Sequence, residues 1–211
     1  MTNDRTKLLE AAAAHLSAND PSLKPVIERF GLCTVEPHAD YYRELVDSII
    51  SQQLSIKASA TIIKRFIALF DDKFPTPAQI LQRDIEELRA VGMSRPKASY
   101  VLDLALHIEE GRLQPEKLPK LSNEDVIREL TAVKGIGEWT AHMFLIFSLG
   151  RTDILATGDL GVRMAMKKLY GLPDAPKPDE MRAIADKYNW HPYESIACWY
   201  LWKSLDNEPA L

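Results

Sequence analysis

Residues 130–144 read LTAVKGIGEWTAHMF, and this is the most informative stretch of the chain. One helical segment ends before the Gly135-Ile-Gly137 turn, and a second begins directly after it. Glycine permits positive φ and has no Cβ atom to keep a ligand's phosphate away from the backbone. We therefore expect the N–H groups of Gly135 and Gly137 to form an anion site at the start of the second helix, where Lys134 adds a positive charge.

Two other interpretations of this turn are open. A dinucleotide-binding fingerprint is a poor match, because Thr140 replaces the third glycine and no strand precedes the turn. A tight turn between two helices that binds nothing is the second alternative. The Gly-x-Gly pattern alone does not separate this alternative from an anion site, so the decision depends on the surrounding sequence.

The rest of the chain has the periodicity of helices. Apolar residues recur at helical spacing, as in Tyr42, Leu45, Val46 and Ile49, and no segment alternates like a strand. The fold class is predicted to be all-α. Helices are expected near residues 4–17, 21–30, 39–53, 56–70, 77–82, 84–91, 95–110, 123–133, 138–149, 160–170, 179–188 and 193–205.

No low-complexity linker divides these helices, so residues 1–211 are predicted to form one helical unit, with two lobes and a cleft between them. The Pro-containing stretches around 113–121 and 172–178 are expected to be turns within this unit. A helix-hairpin-helix element is placed at about 123–149, and a loop follows it at about 150–162.

Composition limits the function classes. Lys and Arg total 26 against 30 Asp and Glu, and this net charge of −4 counts against a basic nucleic-acid protein. Backbone N–H groups at a helix N-terminus can nevertheless hold phosphates without net charge. Cys33 and Cys198 are the only cysteines, which excludes a zinc knuckle and a four-thiolate iron–sulfur cluster. The N-terminal stretch has neither a signal sequence nor a membrane span, so we expect a soluble intracellular protein.

Several motifs in the same order resemble one family. Residues 130–149 are similar to the hairpin of the helix-hairpin-helix DNA glycosylases, whose pattern continues into a loop ending in an aspartate, here ILATGDLGV at 154–162. SIISQQLS at 48–55, RAVGMSRPKA at 89–98 and WHPYESIACWYLW at 190–202 resemble the 3-methyladenine DNA glycosylase II branch. The resemblance covers roughly residues 20–203.

This resemblance implies a compact two-lobed helical glycosylase fold. It also implies a monofunctional DNA glycosylase of base excision repair, which flips alkylated purines of the 3-methyladenine and 7-methylguanine type out of double-stranded DNA and hydrolyses the glycosidic bond. Such a protein is expected to be a monomer in the bacterial cytoplasm or nucleoid, or in the nucleus of a eukaryote. The chain has no room for the N-terminal β domain that many members carry, so the helical catalytic part alone is expected.

Asp159 is the candidate catalytic residue. It precedes a helical run, so its position alone predicts an N-cap, while the resemblance makes it the carboxylate that faces the flipped sugar. A carboxylate beside C1′ stabilises the oxocarbenium charge and can orient water. The matched motifs supply no obvious second carboxyl as an acid, and a base made cationic by alkylation leaves without one. The sequence therefore favours alkylated purines.

Trp139, Trp202 and Met143 are the candidate residues of the base pocket. By the resemblance, Trp139 stands where bifunctional relatives carry a lysine that forms a Schiff base, so no lyase activity is expected. Its indole offers an electron-rich face to a cationic base instead, and Trp202 would form a second wall. Met143 departs from the aromatic residue often found there. Trp190 and Trp199 are expected to belong to the core.

Gln53 and Leu54, between two amphipathic helices, are candidates for intercalation. The polar run before Leu54 suggests an exposed tip, and an apolar wedge can fill the gap left by a flipped base; the alternative is that Leu54 packs the helix turn. Lys134, Gly135, Gly137 and Arg163 are predicted to contact phosphates. Further phosphate candidates are Lys57, Arg95 and Lys97.

No cofactor is expected to be required. The resemblance implies only a structural Na⁺ or K⁺ at backbone carbonyls around Thr131, Val133 and Ile136. His142, one turn from Glu138, is interpreted as a surface or phosphate-facing residue rather than as a metal ligand.

Two alternatives remain, one from the same enzyme class and one from another function class. One is a glycosylase for neutral lesions such as hypoxanthine, ethenoadenine or uracil. The other is a non-catalytic helix-hairpin-helix module, which needs Gly135 and Gly137 but not Asp159.

Overall fold

Helices make up the regular structure of the protein. The computed structural model describes residues 3–205, and no β-strand occurs within them. The α-helices of this part of the chain are α1 (Asn3–Asn19), α2 (Lys24–Phe30), α3 (Tyr41–Ser51), α4 (Ile56–Ala68), α5 (Pro77–Leu81), α6 (Ile85–Ala90), α7 (Arg95–Glu109), α8 (Asn123–Thr131), α9 (Glu138–Met143), α10 (Leu160–Leu169), α11 (Pro178–Lys187) and α12 (Glu194–Leu205). The all-α prediction is confirmed.

Three local differences from the prediction occur. The helix expected over 138–149 is an α-helix only over Glu138–Met143 and continues as a π-helix over Phe144–Ser148. The other two differences have physical causes. The stretch around 113–121, predicted to be a turn, contains a 3-10 helix over Pro115–Lys120, which begins with a proline whose fixed φ suits a first helical position. The expected helix over 21–30 begins only at Lys24. Before it, the buried Asp20 accepts the N–H groups of Ser22 and Leu23 and holds them in a separate turn.

The described residues pack into two compact units. One comprises residues 3–37 and 145–205, and the other comprises residues 38–144. The prediction of one catalytic unit over residues 1–211 stays a prediction.

In the unit of residues 3–37 and 145–205, α12 is central and packs against α10, α2 and α1. Trp190 and Trp199 are buried, as expected for core residues. The indole N–H of Trp190 and the hydroxyl of Tyr170 both donate to Oδ2 of Asp20, at 2.8 and 2.6 Å. These bonds satisfy a buried carboxylate and join α10 and the start of the α12 region to the loop before α2.

In the unit of residues 38–144, α7 packs against α3, α5 and α6, and α8 packs against α9. The apolar stripe of α3, which includes Leu45 and Ile49, is fully buried here. Lys97 of α7 donates to the carbonyl of Ile50, so α7 lies beside the end of α3. Among residues 3–205, no helix combines the length and the apolar character needed to cross a membrane.

Candidate functional site

The turn between α8 and α9 depends on Gly135. Its φ is +82°, and a Cβ atom there would lie 2.1 Å from the ring of Tyr100 on α7. Both the left-handed backbone and the close approach exclude other residue types. Tyr100 thus packs directly against the turn, and the Gly-x-Gly pattern had not indicated this partner.

Gly137 and Gly135 differ in backbone conformation. The φ of Gly137 is −94°, so the positive φ that glycine permits is used at Gly135 and not at Gly137. Gly137 is the N-cap residue of α9, and a Cβ atom there would meet no heavy atom within 4 Å. The glycine instead leaves the surface in front of α9 open, which an approaching phosphate requires.

Lys134 is bound to an acidic partner. Its backbone N–H donates to Oδ2 of Asp103 at 2.9 Å, and its Nζ lies 3.5 Å from Oδ1 of the same carboxylate. The Lys134 side chain is 73% exposed, so it remains accessible to a phosphate, but Asp103 offsets its charge. Asp103, which lies 31 residues away on α7, was not predicted as a partner of Lys134.

The carbonyl of Val133, one of those predicted to face a cation, takes part in the hairpin turn. The carbonyl of Val133 accepts the N–H of Ile136 at 3.1 Å. A carbonyl oxygen has two lone pairs, so it can also face a monovalent cation. The Na⁺ or K⁺ at Thr131, Val133 and Ile136 stays a prediction.

The segment between α3 and α4 forms a tight turn. The N–H of Leu54 donates to the carbonyl of Ser51 at 3.1 Å, Gln52 has φ −47° and ψ 129°, and Gln53 has φ +56°. These values fit a type II turn, whose third residue is usually glycine. A left-handed glutamine costs about 1–2 kcal/mol. Such strain at an exposed tip is typical of functional segments.

The tip of this turn is exposed, as predicted. Gln53 lies on the surface, and the Leu54 side chain is 39% exposed although it is a large apolar residue. The Leu54 side chain is therefore only partly packed within the turn. Its insertion into DNA stays a prediction.

Several cationic phosphate candidates have partners inside the protein. Arg95 forms an ion pair with Glu86. The ammonium group of Lys97 donates to backbone carbonyls at the end of α3. Arg163 is half-buried and its Nε donates to the carbonyl of Pro176 at 2.9 Å.

The aromatic and histidine candidates of α9 differ in exposure. Trp139 is 45% exposed, and Met143, one turn later on the same side of the helix, is half-buried. His142 is only 7% exposed, so the expectation of a surface residue is wrong. Its Nε2 lies 3.7 Å from Oε1 of Glu138. The alternative that His142 faces a phosphate stays a prediction.

Asp159, in the other unit, is held by two donors. Its Oδ1 accepts the N–H of Val162 at 2.8 Å, which confirms the N-cap of α10, and the indole Nε1–H of Trp202 at 2.8 Å. Hydrogen bonds to an ionised carboxylate are stronger than neutral ones. Two donors on one oxygen fix the rotation of the side chain. The arrangement gives a half-buried carboxylate of defined orientation.

Trp202 is itself fixed on α12. The ring of Phe147 stacks on it with centroids 5.7 Å apart and planes 26° apart. At Gly161 a Cβ atom would lie 3.1 Å from Cδ1 of Trp202 and 3.0 Å from Oδ1 of Asp159, so only glycine leaves this contact undisturbed. Phe147 and Gly161 were not identified from the sequence. The G-D-L-G spacing around Asp159 was the available signal for Gly161.

The loop before Asp159 is anchored to α12. The N–H of Ile154 donates to Oγ of Ser195 at 3.0 Å, and the N–H of Ser195 donates to the carbonyl of Thr152 at 2.8 Å. Ser195 is buried. These bonds connect the loop to the helix that also carries Trp202, so the carboxylate and its indole donor share one support.

Chemically, this unit presents a fixed negative charge beside an aromatic ring. A preoriented carboxylate stabilises positive charge that develops in a transition state, because the side chain does not have to reorganise during the reaction. At the hairpin, in the other unit, the surface in front of Gly137 is open. These are the requirements for cationic chemistry and for phosphate binding, respectively.

Comparison with known proteins agrees with both arrangements. The sequence model described as "HhH-GPD superfamily base excision DNA repair protein" matches residues 46–189, which include the hairpin and Asp159. An alkylbase DNA glycosidase-like protein of Schizosaccharomyces pombe is 33% identical over 198 residues, covering 91% of this chain and 92% of that protein.

Two solved structures are similar to the chain. A DNA-3-methyladenine glycosidase from Bacillus halodurans has a TM-score of 0.82 at 38% identity, covering 93% of this chain and 89% of the other. A Schizosaccharomyces pombe 3-methyladenine DNA glycosylase in complex with abasic DNA has a TM-score of 0.78 at 35% identity, covering 92% of this chain and 95% of the other.

Proposed function

The chain belongs to the HhH-GPD superfamily of base excision DNA repair proteins, and we propose that it is a monofunctional glycosylase that excises alkylated purines from double-stranded DNA. Its relatives are named as an alkylbase DNA glycosidase-like protein and as 3-methyladenine DNA glycosylases. It would act in the compartment that holds the genome.

The observation that carries the proposal is the orientation of Asp159. Cleavage of the bond between base and sugar places positive charge on the deoxyribose, and a fixed carboxylate stabilises that charge. The donors from Val162 and Trp202 hold Oδ1, so the side chain does not have to rotate during the reaction. The same carboxylate would orient or deprotonate the water that attacks C1′.

Leaving-group activation would come from the lesion. A purine alkylated at N3 or N7 carries a positive charge in DNA and departs as a neutral base, so no protein acid has to protonate it. Aromatic faces attract such a cationic base, and Trp139 and Trp202 are the candidates that would supply them. Trp139 has no amine, so it cannot form the Schiff base of a lyase.

DNA would be held mainly by the backbone of the hairpin. The open surface at Gly137 admits a phosphate, and the exposed Gln53–Leu54 tip would replace the extruded nucleotide in the stack. Binding that depends on few cationic side chains is consistent with the net charge of −4. Its salt dependence should be shallow.

The test compares lesions in one sequence context. Single-turnover release of 3-methyladenine and 7-methylguanine should exceed release of hypoxanthine and uracil by at least about tenfold, because only the former leave as neutral molecules without an acid. Strands should remain unbroken until the abasic site is cleaved chemically. The Asp159→Asn chain serves as the control for contaminating glycosylases.

Three outcomes would contradict the proposal. Faster release of hypoxanthine or uracil would reveal an acid and favour a glycosylase for neutral lesions. Covalent trapping by borohydride would reveal a lyase. Duplex binding with no release of any base would favour a non-catalytic module.

A further inference from the structure

The Ser51–Leu54 turn needs support to act as a wedge. Gln53 is in the left-handed region, and Leu54 projects from a turn closed by the bond between its N–H and the carbonyl of Ser51. A wedge that enters DNA meets the resistance of stacked bases. A strained, exposed turn relaxes under such a load unless other residues hold it.

Lys97 stabilises the turn through two hydrogen bonds. Its Nζ donates to the carbonyl oxygens of Ile50 at 2.8 Å and Gln52 at 2.5 Å, which lie on either side of Ser51. The last carbonyls of a helix have no partner within the helix, so this ammonium group takes the place of a C-terminal cap for α3. Burial lowers the pKa of Lys97 from its ordinary value. In its charged form, the ammonium group makes stronger hydrogen bonds to these carbonyls than a neutral amine would.

Gln52 ties the same turn to the hairpin. Its Nε2 donates to the carbonyl of Gly135 at 2.8 Å, across 83 residues of sequence. Gly135 in turn packs on Tyr100, which lies three residues after Lys97 on α7. The wedge turn and the hairpin are therefore bonded to each other and supported by one face of one helix.

We propose that Gln52 and Lys97 are positioning residues that fix the Gln53–Leu54 wedge relative to the hairpin, so that phosphate binding at one holds the other in place for opening the duplex. The inference rests on the proposed function. Neither residue touches the reacting atoms. Their contribution should therefore depend on how much opening work the substrate requires.

The experiment uses Gln52→Leu, which removes the donor with little change in side-chain size, and Lys97→Met as a second variant. Gln82→Leu, at an exposed position after α5, is the matched control. Each chain is tested for single-turnover release of 7-methylguanine from a fully paired duplex and from a duplex with a mismatch at the lesion. Thermal unfolding and affinity for undamaged duplex are measured alongside.

Gln52→Leu should slow release from the paired duplex by about tenfold and from the mismatched duplex by no more than about threefold, since less opening work is needed there. In a Leu54→Ala background it should add less than about twofold, because a missing wedge cannot be misplaced further. Lys97→Met should follow the same pattern. Equal losses on both duplexes, or losses that multiply with Leu54→Ala, would overturn the proposal.

A second readout does not depend on excision. A duplex with a stable abasic analogue and a neighbouring 2-aminopurine reports unstacking by fluorescence. The wild-type and Gln82→Leu chains should raise this fluorescence equally, and Gln52→Leu should raise it by less than half as much at saturating protein. An unchanged signal in Gln52→Leu would refute the positioning role, whereas absence of base release by the wild type would refute the proposed function.

Discussion

The hairpin and the carboxylate segment each hold a group that is proposed to act on DNA in a fixed orientation, but the kinds of group are exchanged between them. At the hairpin, the groups proposed to bind DNA are backbone N–H groups, and side chains such as Tyr100 and Asp103 hold them. At the carboxylate, the functional group is a side chain, and a backbone N–H and an indole hold it. The residue that matters chemically is thus a glycine in one region and an aspartate in the other.

The two regions should tolerate different substitutions. Where the backbone acts, the available space and the φ angle limit which residue types are tolerated. Substitutions at Gly135 should therefore act by changing the backbone conformation. Where a side chain acts, its charge determines which residue type is tolerated, so asparagine at Asp159 can keep the N-cap bond of α10 while the charge is lost. Changes in the two regions should therefore separate binding from chemistry.

The largest expected effect is that of Asp159→Asn. Asparagine keeps the shape and can still accept the N–H of Val162, but it cannot stabilise a cation by charge. Excision of 7-methylguanine should fall by about a hundredfold to a thousandfold. Affinity for undamaged duplex, measured by fluorescence anisotropy, should stay within about twofold because phosphate contacts set it. Excision at the wild-type rate would remove Asp159 from the mechanism.

Substitution of the two hairpin glycines should give the next largest effect and should distinguish them. Gly135→Ala combines positive φ with overlap on Tyr100 and should cost about 1–3 kcal/mol of unfolding free energy and weaken duplex binding. Gly137→Ala should stay within about 0.5 kcal/mol of wild type, because its Cβ meets open space. Chemical denaturation measures both.

Two further variants sharpen the contrast between these glycines. Gly137→Asp should fold normally yet weaken binding to damaged and undamaged duplex alike, since its charge intrudes on the phosphate. Tyr100→Ala in the Gly135→Ala chain should relieve only the overlap. If Gly137→Asp binds like wild type at moderate salt, the phosphate site lies elsewhere.

Trp202→Phe should have an intermediate effect. Phenylalanine preserves stacking on Phe147 but removes the donor to Asp159, so excision should slow by about tenfold, the value of one hydrogen bond to a charged group. Phe147→Leu, which keeps the donor, is the matched variant and should cost less. Single-turnover rates on 7-methylguanine compare them. The idea that Trp202 orients the carboxylate fails if Trp202→Phe is as active as wild type.

Lys134→Ala should have the smallest effect. Asp103 already offsets the charge of Lys134, and the N–H that anchors the turn belongs to the backbone and survives the change. Duplex affinity should fall by about threefold or less, and the salt slope should change by less than about 0.9, the value of one phosphate contact. Binding titrations at several salt concentrations provide the measurement, and a loss beyond tenfold would make Lys134 a principal contact.

Much of the site was predictable because its signals are short-range. The N-cap role of Asp159 follows from an acidic residue before a helical run, and the exposed tip at Gln53 follows from polar residues between two amphipathic helices. The hydrogen bonds that form this N-cap and this turn join residues three positions apart. The expectation of a surface position failed at His142, because burial depends on how the helices pack.

Sequence patterns were sufficient to predict the all-α fold, the order of the helices, the glycine turn and the N-cap position of Asp159, because helical periodicity, capping and turn chemistry act over a few residues. The distant side chains that support these features became visible in the packed structure alone: Gln52 with Gly135, Asp103 with Lys134 and Trp202 with Asp159 are 83, 31 and 43 residues apart. No periodic pattern encodes such pairs, since they exist only after the helices have packed.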